Sequence, residues 1–409
     1  MSNILRGSQQ LLRSSASLMI KNTSNTCNRL VSNNSNNSRV IRLYSSTSNN
    51  VATKTNTLEY IDKVEKSSIP FQFLSISKDQ WSKNIGKENI SKELKSHFDR
   101  IGKEKDRSTL LREPVFKVIE WMNRMKQQQF EKNSPEDYCM LVDGKRGSGK
   151  SVTLSQLVFW AKQQGWFVFY VPSVHKFIHT GSLTPFVENP MLFEQHELST
   201  HLLNQMLEVN GDLMKKIPLK TKFRIQFNNF KSSPEKTLYD LVSSSLFDCS
   251  SEVLYHFKRE MDCIVEFPVL IALDGYNHFH RLSEYGDMYD AKTFMGTLPT
   301  DRLLASHLFK PLFNHSLSNG VVVASTTDDV SKAQILEEFK NENQLVHIPK
   351  FTLYEMRLLL NYLVEIKYLE KVPSQETVQY LWQMSSGNAR DVWNLNKEEK
   401  EMIYDELCI

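Results

Sequence analysis

Apolar residues along this chain follow two rhythms. The run DYCMLVDG, ending at Gly144, is apolar without alternation; TLSQLVFWAKQQ repeats its apolar positions at helical spacing and stops at Gly165; WFVFYVP is again continuous. That order predicts strand, helix, strand, a βαβ unit. Further on, PVLIALDG, GVVVAST and LVHIPKF supply three more short apolar strands. Near-continuous Val, Ile and Leu with no polar face implies helices on both sides. The fold class is therefore α/β, with a parallel sheet inside a three-layer domain.

Other segments are amphipathic. REPVFKVIEWMNRMKQQ puts Val115, Val118, Ile119, Met122 and Met125 near one helical stripe with Pro114 at the first turn, which predicts an entry helix to the main domain. A helical and loop insertion is expected over roughly 185–262. From Thr352 the chain reads as helical to its end: Thr352 and Glu355 form a capping box, and Pro373 separates two helices. The mixed-charge stretch from Glu59 to Arg107 is weakly periodic and reads as a solvated helical surface, with contact to RNA the alternative that the Asp and Glu among its lysines disfavour. The expected organisation is a leader over 1–44, an N-terminal extension over 45–111, a core over 112–351 and a C-terminal helical domain over 352–409.

Composition changes this picture mainly at the N-terminus. The first 58 residues hold no Asp or Glu, and six basic residues from Arg6 to Arg42 turn the whole-chain charge of +3 into about −3 for the remainder. Ile4, Leu5, Leu11, Leu12, Leu18 and Met19 share one helical face flanked by Arg6 and Arg13, the pattern of a mitochondrial transit peptide, with cleavage expected near Tyr44. The compartment implied is the matrix. No apolar run approaches the roughly eighteen residues that a membrane span requires. Five scattered cysteines without a C-x-x-C pair exclude a disulfide framework or zinc knuckle.

The candidate chemistry sits where the first strand meets its helix. Gly144, Lys145, Arg146, Gly147, Ser148, Gly149, Lys150 and Ser151 satisfy G-x-x-x-x-G-K-[ST] in full, between a predicted strand and a predicted helix. Main-chain N–H groups of such a turn converge on a phosphate, and the helix N-terminus adds a positive dipole. Lys150 would reach the β- and γ-phosphates, and Ser151 would ligate Mg²⁺. A magnesium site also needs an acid at the end of a second buried strand, and Asp274 occupies that place. Its neighbour is Gly275, not the Glu that hydrolytic relatives use to orient water, so binding is better supplied than hydrolysis. Ser325, Thr326 and Thr327 end another strand where a polar phosphate sensor could stand. Arg390, after Gly387 in SSGNARDVW, could place a guanidinium over the phosphates; His278 and His280 form an H-x-H with no third ligand in view.

The ordered segments LVDGKRGSGKS, QQGW, FVFYVPS, LFEQHELSTHLLNQMLEVNGDLM, VLIALDGYN, GVVVAST and SGNARDVW resemble the death-associated protein family of GTP-binding proteins of the mitochondrial small ribosomal subunit. The resemblance implies a P-loop NTPase core of the AAA-like branch with a helical lid, in the head of the small subunit. It also implies bound GTP or GDP with Mg²⁺, contacts to ribosomal RNA and neighbouring mitoribosomal proteins, and a bridge to the large subunit. Lys150, Ser151 and Asp274 carry over by direct match. No N-K-x-D base-recognition motif follows a strand, since NKEE at Asn396 to Glu399 lacks the Asp, so guanine rests on the family alone and ATP stays open. A regulatory AAA-like NTPase of the matrix and a small-molecule kinase are the competing readings.

Overall fold

The computed structural model describes residues 43–44, 73–102, 106–127, 138–245, 247–288, 294–310, 317–328, 330–339, 344–371 and 373–393. The leader up to residue 42 and the NKEE segment lie outside them. The chain opens with β1 (Leu43–Tyr44), β2 (Phe73–Ile76), α1 (Lys78–Asn84), α2 (Lys92–Ile101) and β3 (Arg107–Leu110), then α3 (Glu113–Gln127). Next come β4 (Cys139–Gly144), α4 (Lys150–Gln163) and β5 (Phe167–Val171). The expected insertion holds β6 (Thr184–Phe186), β7 (Asn189–Glu194), α5 (His196–Met214), β8 (Arg224–Ile225), β9 (Phe230–Lys231), α6 (Leu238–Ser243) and α7 (Ser250–Asp262). It is followed by β10 (Val269–Asp274), β11 (Leu282–Met288), β12 (Phe294–Pro299), α8 (Leu304–Phe309), β13 (Gly320–Ser325), α9 (Ala333–Glu338) and β14 (Leu345–Ile348). Helices α10 (Leu353–Glu365), α11 (Gln375–Met384) and α12 (Ala389–Trp393) complete it.

Five strands form one parallel sheet in the order β14-β4-β13-β10-β5. The pleat sends alternate residues to opposite faces. Met140, Val142, Val168, Tyr170, Leu270, Ala272, Val321 and Val323 join one apolar cluster with α3 and α4. Cys139, Leu141, Phe167, Phe169, Val171, Val269, Ile271 and Leu273 join the other, with α5 and α7. Both faces are thus covered, as the unbroken apolar runs require. Phe169 stacks on Phe309 at 4.2 Å between centroids, fixing α8 under the sheet. No helix among the described residues is long and apolar enough to cross a membrane.

Two expectations change. The stretch before Arg107 is not simply a solvated helical surface: β2 pairs antiparallel with β3 and β1 with β2. Its α1 carries Trp81, 1% exposed, edge-on to Phe98 at 5.4 Å and beneath the Arg107 guanidinium at 4.6 Å. These side chains belong to the same core cluster as α4. The charged residues cover the outer face of a segment whose inner face is buried. The insertion, expected as helix and loop, also contains two small antiparallel hairpins, β6-β7 and β8-β9.

The helix ends follow local chemistry. Thr352 Oγ1 accepts from the Glu355 N–H while the Glu355 carboxylate accepts from the Thr352 N–H, the reciprocal cap expected from sequence. Pro114 lies in the first turn of α3, where its missing N–H is harmless.

Candidate functional site

The turn between β4 and α4 is built by its glycines. Gly147 has φ +78° and Gly149, the N-cap of α4, has φ +105°, conformations that L side chains rarely adopt. No side chain caps α4, so its first N–H groups face the turn. Ser148 Oγ is buried and has no hydrogen-bond partner, an orphaned polar atom inside the loop that a ligand oxygen could satisfy. A Cβ at position 147 would also lie 2.0 Å from Asn388 Oδ1 and push that side chain aside. Asn388 Nδ2 also donates to the Arg146 carbonyl at 3.1 Å, so the segment between α11 and α12 rests directly on the turn.

Arg112 locks that arrangement from below. Its Nε is 2.6 Å from Glu355 Oε1, its Nη1 donates to the Ser148 carbonyl at 3.0 Å, and its Nη2 donates to the Pro349 carbonyl at 3.0 Å. The guanidinium also stacks over Phe351 at 4.6 Å. One buried cation thus ties the turn to the first turn of α10.

A polar network lies beside the turn. Lys150 Nζ donates to the carbonyls of Gly144 at 2.5 Å and Lys145 at 3.1 Å, and lies 3.4 Å from Asp328 Oδ2. Burial lowers the pKa of Lys150 against the opposing pull of Asp328. Lys332 bridges Asp328 and Asp143, the latter at 2.8 Å, and Thr326 Oγ1 donates to Asp143 at 2.5 Å. Burial pushes the Asp143 carboxyl up, but the hydrogen bonds from Lys332 and Thr326 outweigh it and hold its pKa low. Burial likewise opposes the Lys332 charge, and Asp143 and Asp328 outweigh it to raise that pKa.

The strand order explains how Asp274 is held. β13 lies between the strand of the turn and the strand of Asp274, and its polar end serves both: Ser325 Oγ donates to Asp274 Oδ1 at 2.5 Å, as Thr326 does to Asp143. Of the three hydroxyls expected as a phosphate sensor, those of Ser325 and Thr326 donate to carboxylates. Asn277, fully buried, accepts from the Thr327 N–H and donates to the carbonyls of Thr327 and Val330. It anchors the loop that carries Asp328.

These groups meet in a cavity of about 1240 Å³ at the carboxyl ends of the strands. Arg146, Gly147, Ser148, Gly149, Lys150, Ser151, Asp274, Thr326, Asp328 and Arg390 all line it. Of the expected residues, Gly144 and Lys145 sit behind it, offering carbonyls to Lys150. Lys92, Lys95, Lys176 and Arg281 add positive charge to the wall and outnumber its acids Glu88, Asp274 and Asp328, which favours a polyanionic occupant. The donor set at Ser151 and Asp274, a hydroxyl and a carboxylate, is hard oxygen and fits Mg²⁺. His278 and His280 fall in a one-turn helix after Gly275, where the His278 ring faces His175 at 4.9 Å. Arg112, Asp143, Asp328, Lys332 and Asn388 had no role assigned from the sequence; Asn277 carried a signal, as the last residue of the D-G-x-N that begins at the end of β10.

An α/β protein with a glycine turn and a basic cavity at the carboxyl edge of a parallel sheet is the class that fold and site define. The profile of the family described as mitochondrial ribosomal death-associated protein 3 matches residues 109–338, and the chain belongs to that family. Its compartment is accordingly the mitochondrion, at the mitochondrial ribosome. The small ribosomal subunit protein mS29 of Schizosaccharomyces pombe is 25% identical over 313 residues, which are 69% of this chain and 63% of that relative. The chain therefore spans less than two thirds of that relative's length.

Proposed function

We propose that the chain is a structural component of the small subunit of the mitochondrial ribosome and that it holds a guanine nucleotide with Mg²⁺ in the cavity above β4 and α4. The observation that carries the nucleotide reading is the meeting of the 144–151 turn, Asp274 and Arg390 around one basic cavity. The strand inserted between β4 and β10 supports a P-loop NTPase core of the AAA-like branch. The contacts of Asn388 and Arg112 with the turn support a lid made of α10 to α12. The assembly role is drawn from the family and from the name of the yeast relative. Ribosomal RNA, neighbouring mitoribosomal proteins and a bridge to the large subunit are the partners that follow from it.

In this reading the main-chain N–H groups of the turn and the start of α4 grip the β-phosphate. Lys150 exchanges its loop carbonyls for phosphate oxygens, and Arg390 covers them from the lid. Ser151 and Asp274 would hold Mg²⁺, which neutralises phosphate charge when bound. The turn then stays closed between α4 and α10, and the nucleotide acts as part of the fold.

Slow turnover or none is expected. Gly275 follows Asp274 where hydrolytic relatives place an acid, and the two nearby carboxylates, Asp143 and Asp328, are each engaged by a lysine. Neither is free to orient a water. A regulatory NTPase of the matrix would share the cavity but not this inertness. Two measurements test the proposal: sedimentation of mitochondrial lysate in moderate salt, and turnover of the purified chain. Co-sedimentation with the small subunit and negligible turnover are expected; a chain off the ribosome that turns over several times per second defeats the proposal. Lys150→Ala should abolish nucleotide-dependent stabilisation, which is about 2.7 kcal/mol when nucleotide stands at a hundred times its dissociation constant. A melting curve of the parent chain that ignores nucleotide and Mg²⁺ would refute the binding role.

A further inference from the structure

We propose that His175, His179 and Glu284 form a binding site for a zinc-class divalent cation at the rim of the same cavity. His175 lies in the one-turn helix Val174–Ile178 and His179 caps its end, four residues on. Their rings therefore lie side by side, with centroids 4.3 Å apart and planes inclined by 36°. Glu284 comes from β11, more than a hundred residues away, and its Oε1 lies 2.8 Å from His175 Nε2. One ligand atom from each of the three falls within 4.8 Å of the others. A long-range carboxylate has thus been brought to a local histidine pair.

The hydrogen bond of His179 prepares it as a ligand, while the bond between His175 Nε2 and Glu284 Oε1 would be replaced by the metal, releasing one proton. His179 Nδ1 lies 2.7 Å from the His175 carbonyl, and a carbonyl can only accept, so that nitrogen carries the proton and Nε2 keeps its lone pair. This backbone contact is the kind that fixes tautomer and ring orientation in metal-bound histidines. Two imidazoles and one carboxylate suit zinc or cobalt, whereas magnesium prefers oxygen alone. Three protein ligands also leave coordination positions open. His175, His179 and Arg281 line the cavity that holds Ser151 and Asp274, so an open position would face the space expected to hold phosphate.

A second convergence, Glu188, Glu252 and His256, is less suited. There the His256 ring is buried and stacks on Phe223 at 4.0 Å, and burial first, then the Arg259 charge, disfavours a cation beside it. At the first trio the cation would displace Arg281, whose Nη2 lies 3.3 Å from Glu284 Oε1 at the half-exposed rim.

The proposal does not depend on nucleotide binding, and its test keeps the two apart. The full chain, stripped with chelator, is titrated with Co²⁺ alone and read by its visible ligand-field absorption, followed by displacement with Zn²⁺. One equivalent should saturate the band. His179→Gln and Glu284→Gln should each weaken binding at least about tenfold, the lower bound for losing even an outer-shell partner of a metal site. Both positions are exposed, so the metal-free melting curves should match the parent chain, and His347→Gln, at another exposed histidine, should bind as the parent does. Lys150→Ala should retain the cobalt band. Absence of a saturable band, or an affinity in both ligand variants equal to that of the parent chain, would overturn the site and leave the trio as a hydrogen-bonded cluster with Arg281.

Discussion

Replacing Arg112 by Met should be among the costliest single changes in this protein. Arg112 and Glu355 are 6% and 5% exposed, and the guanidinium makes two contacts with the carboxylate and reaches the carbonyls of Ser148, Pro349 and Lys350. Removing one partner of a buried pair strands the other charge and costs about 3–5 kcal/mol. At roughly 2 °C per kcal/mol for a domain of this size, the melting temperature should fall by about 6–10 °C. Glu355 also caps α10, and glutamine at that position can keep the cap while discarding the charge. The double variant Arg112→Met/Glu355→Gln should therefore recover most of the loss. Thermal and urea unfolding of the parent, two single and one double variant make the double-mutant cycle that reads the coupling. A loss of less than about 1 kcal/mol for Arg112→Met, against the value expected for a buried pair, or a double variant as weak as the two singles combined, would refute the reasoning.

Two further outcomes are open to direct measurement. Gly147→Ala and Gly165→Ala meet nearly the same backbone cost, at φ +78° and +76°, but only the first pushes a Cβ into Asn388; nothing lies within 4 Å of the second. Each should lose about 1–2 kcal/mol in unfolding from the strained conformation, and only Gly147→Ala should also weaken nucleotide binding. Burial and the Arg259 charge hold the His256 pKa down at about 4 against the ordinary 6.5. Between those values the unfolded chain carries the extra proton, so stability should fall as pH drops from about 6.5 towards 4. His256→Gln should flatten that limb in a series of urea titrations.

The parts of the fold legible in the sequence were those whose signal is local. β4, β5, β10, β13 and β14 are runs of Val, Ile, Leu and Phe long enough to read alone, and the Thr352 cap and the Gly165 stop are fixed by residues three or four apart. β2 and β3 escaped because each is four residues long and its burial depends on pairing Phe73 with Leu110, far along the chain. The 144–151 turn was legible because glycine spacing is itself the constraint. Its electrostatic surroundings were not: Lys332 reaches Asp143 across 189 residues, and Arg112 reaches Glu355 across 243. Neither pair has a periodicity or motif to announce it. The hydroxyls of Ser325 and Thr326 were visible as polar strand-end residues, but their partners follow from the strand order, which places β13 between the two carboxylates it serves.

The most direct test is the mass of whatever small molecule is released when small ribosomal subunits, isolated from mitochondria in magnesium, are denatured. A guanine nucleotide at about one per particle is the expected result, lost when the subunits carry Lys150→Ala. Native subunits that contain this chain yet release no nucleotide would contradict the claim that the 144–151 turn and Asp274 hold one.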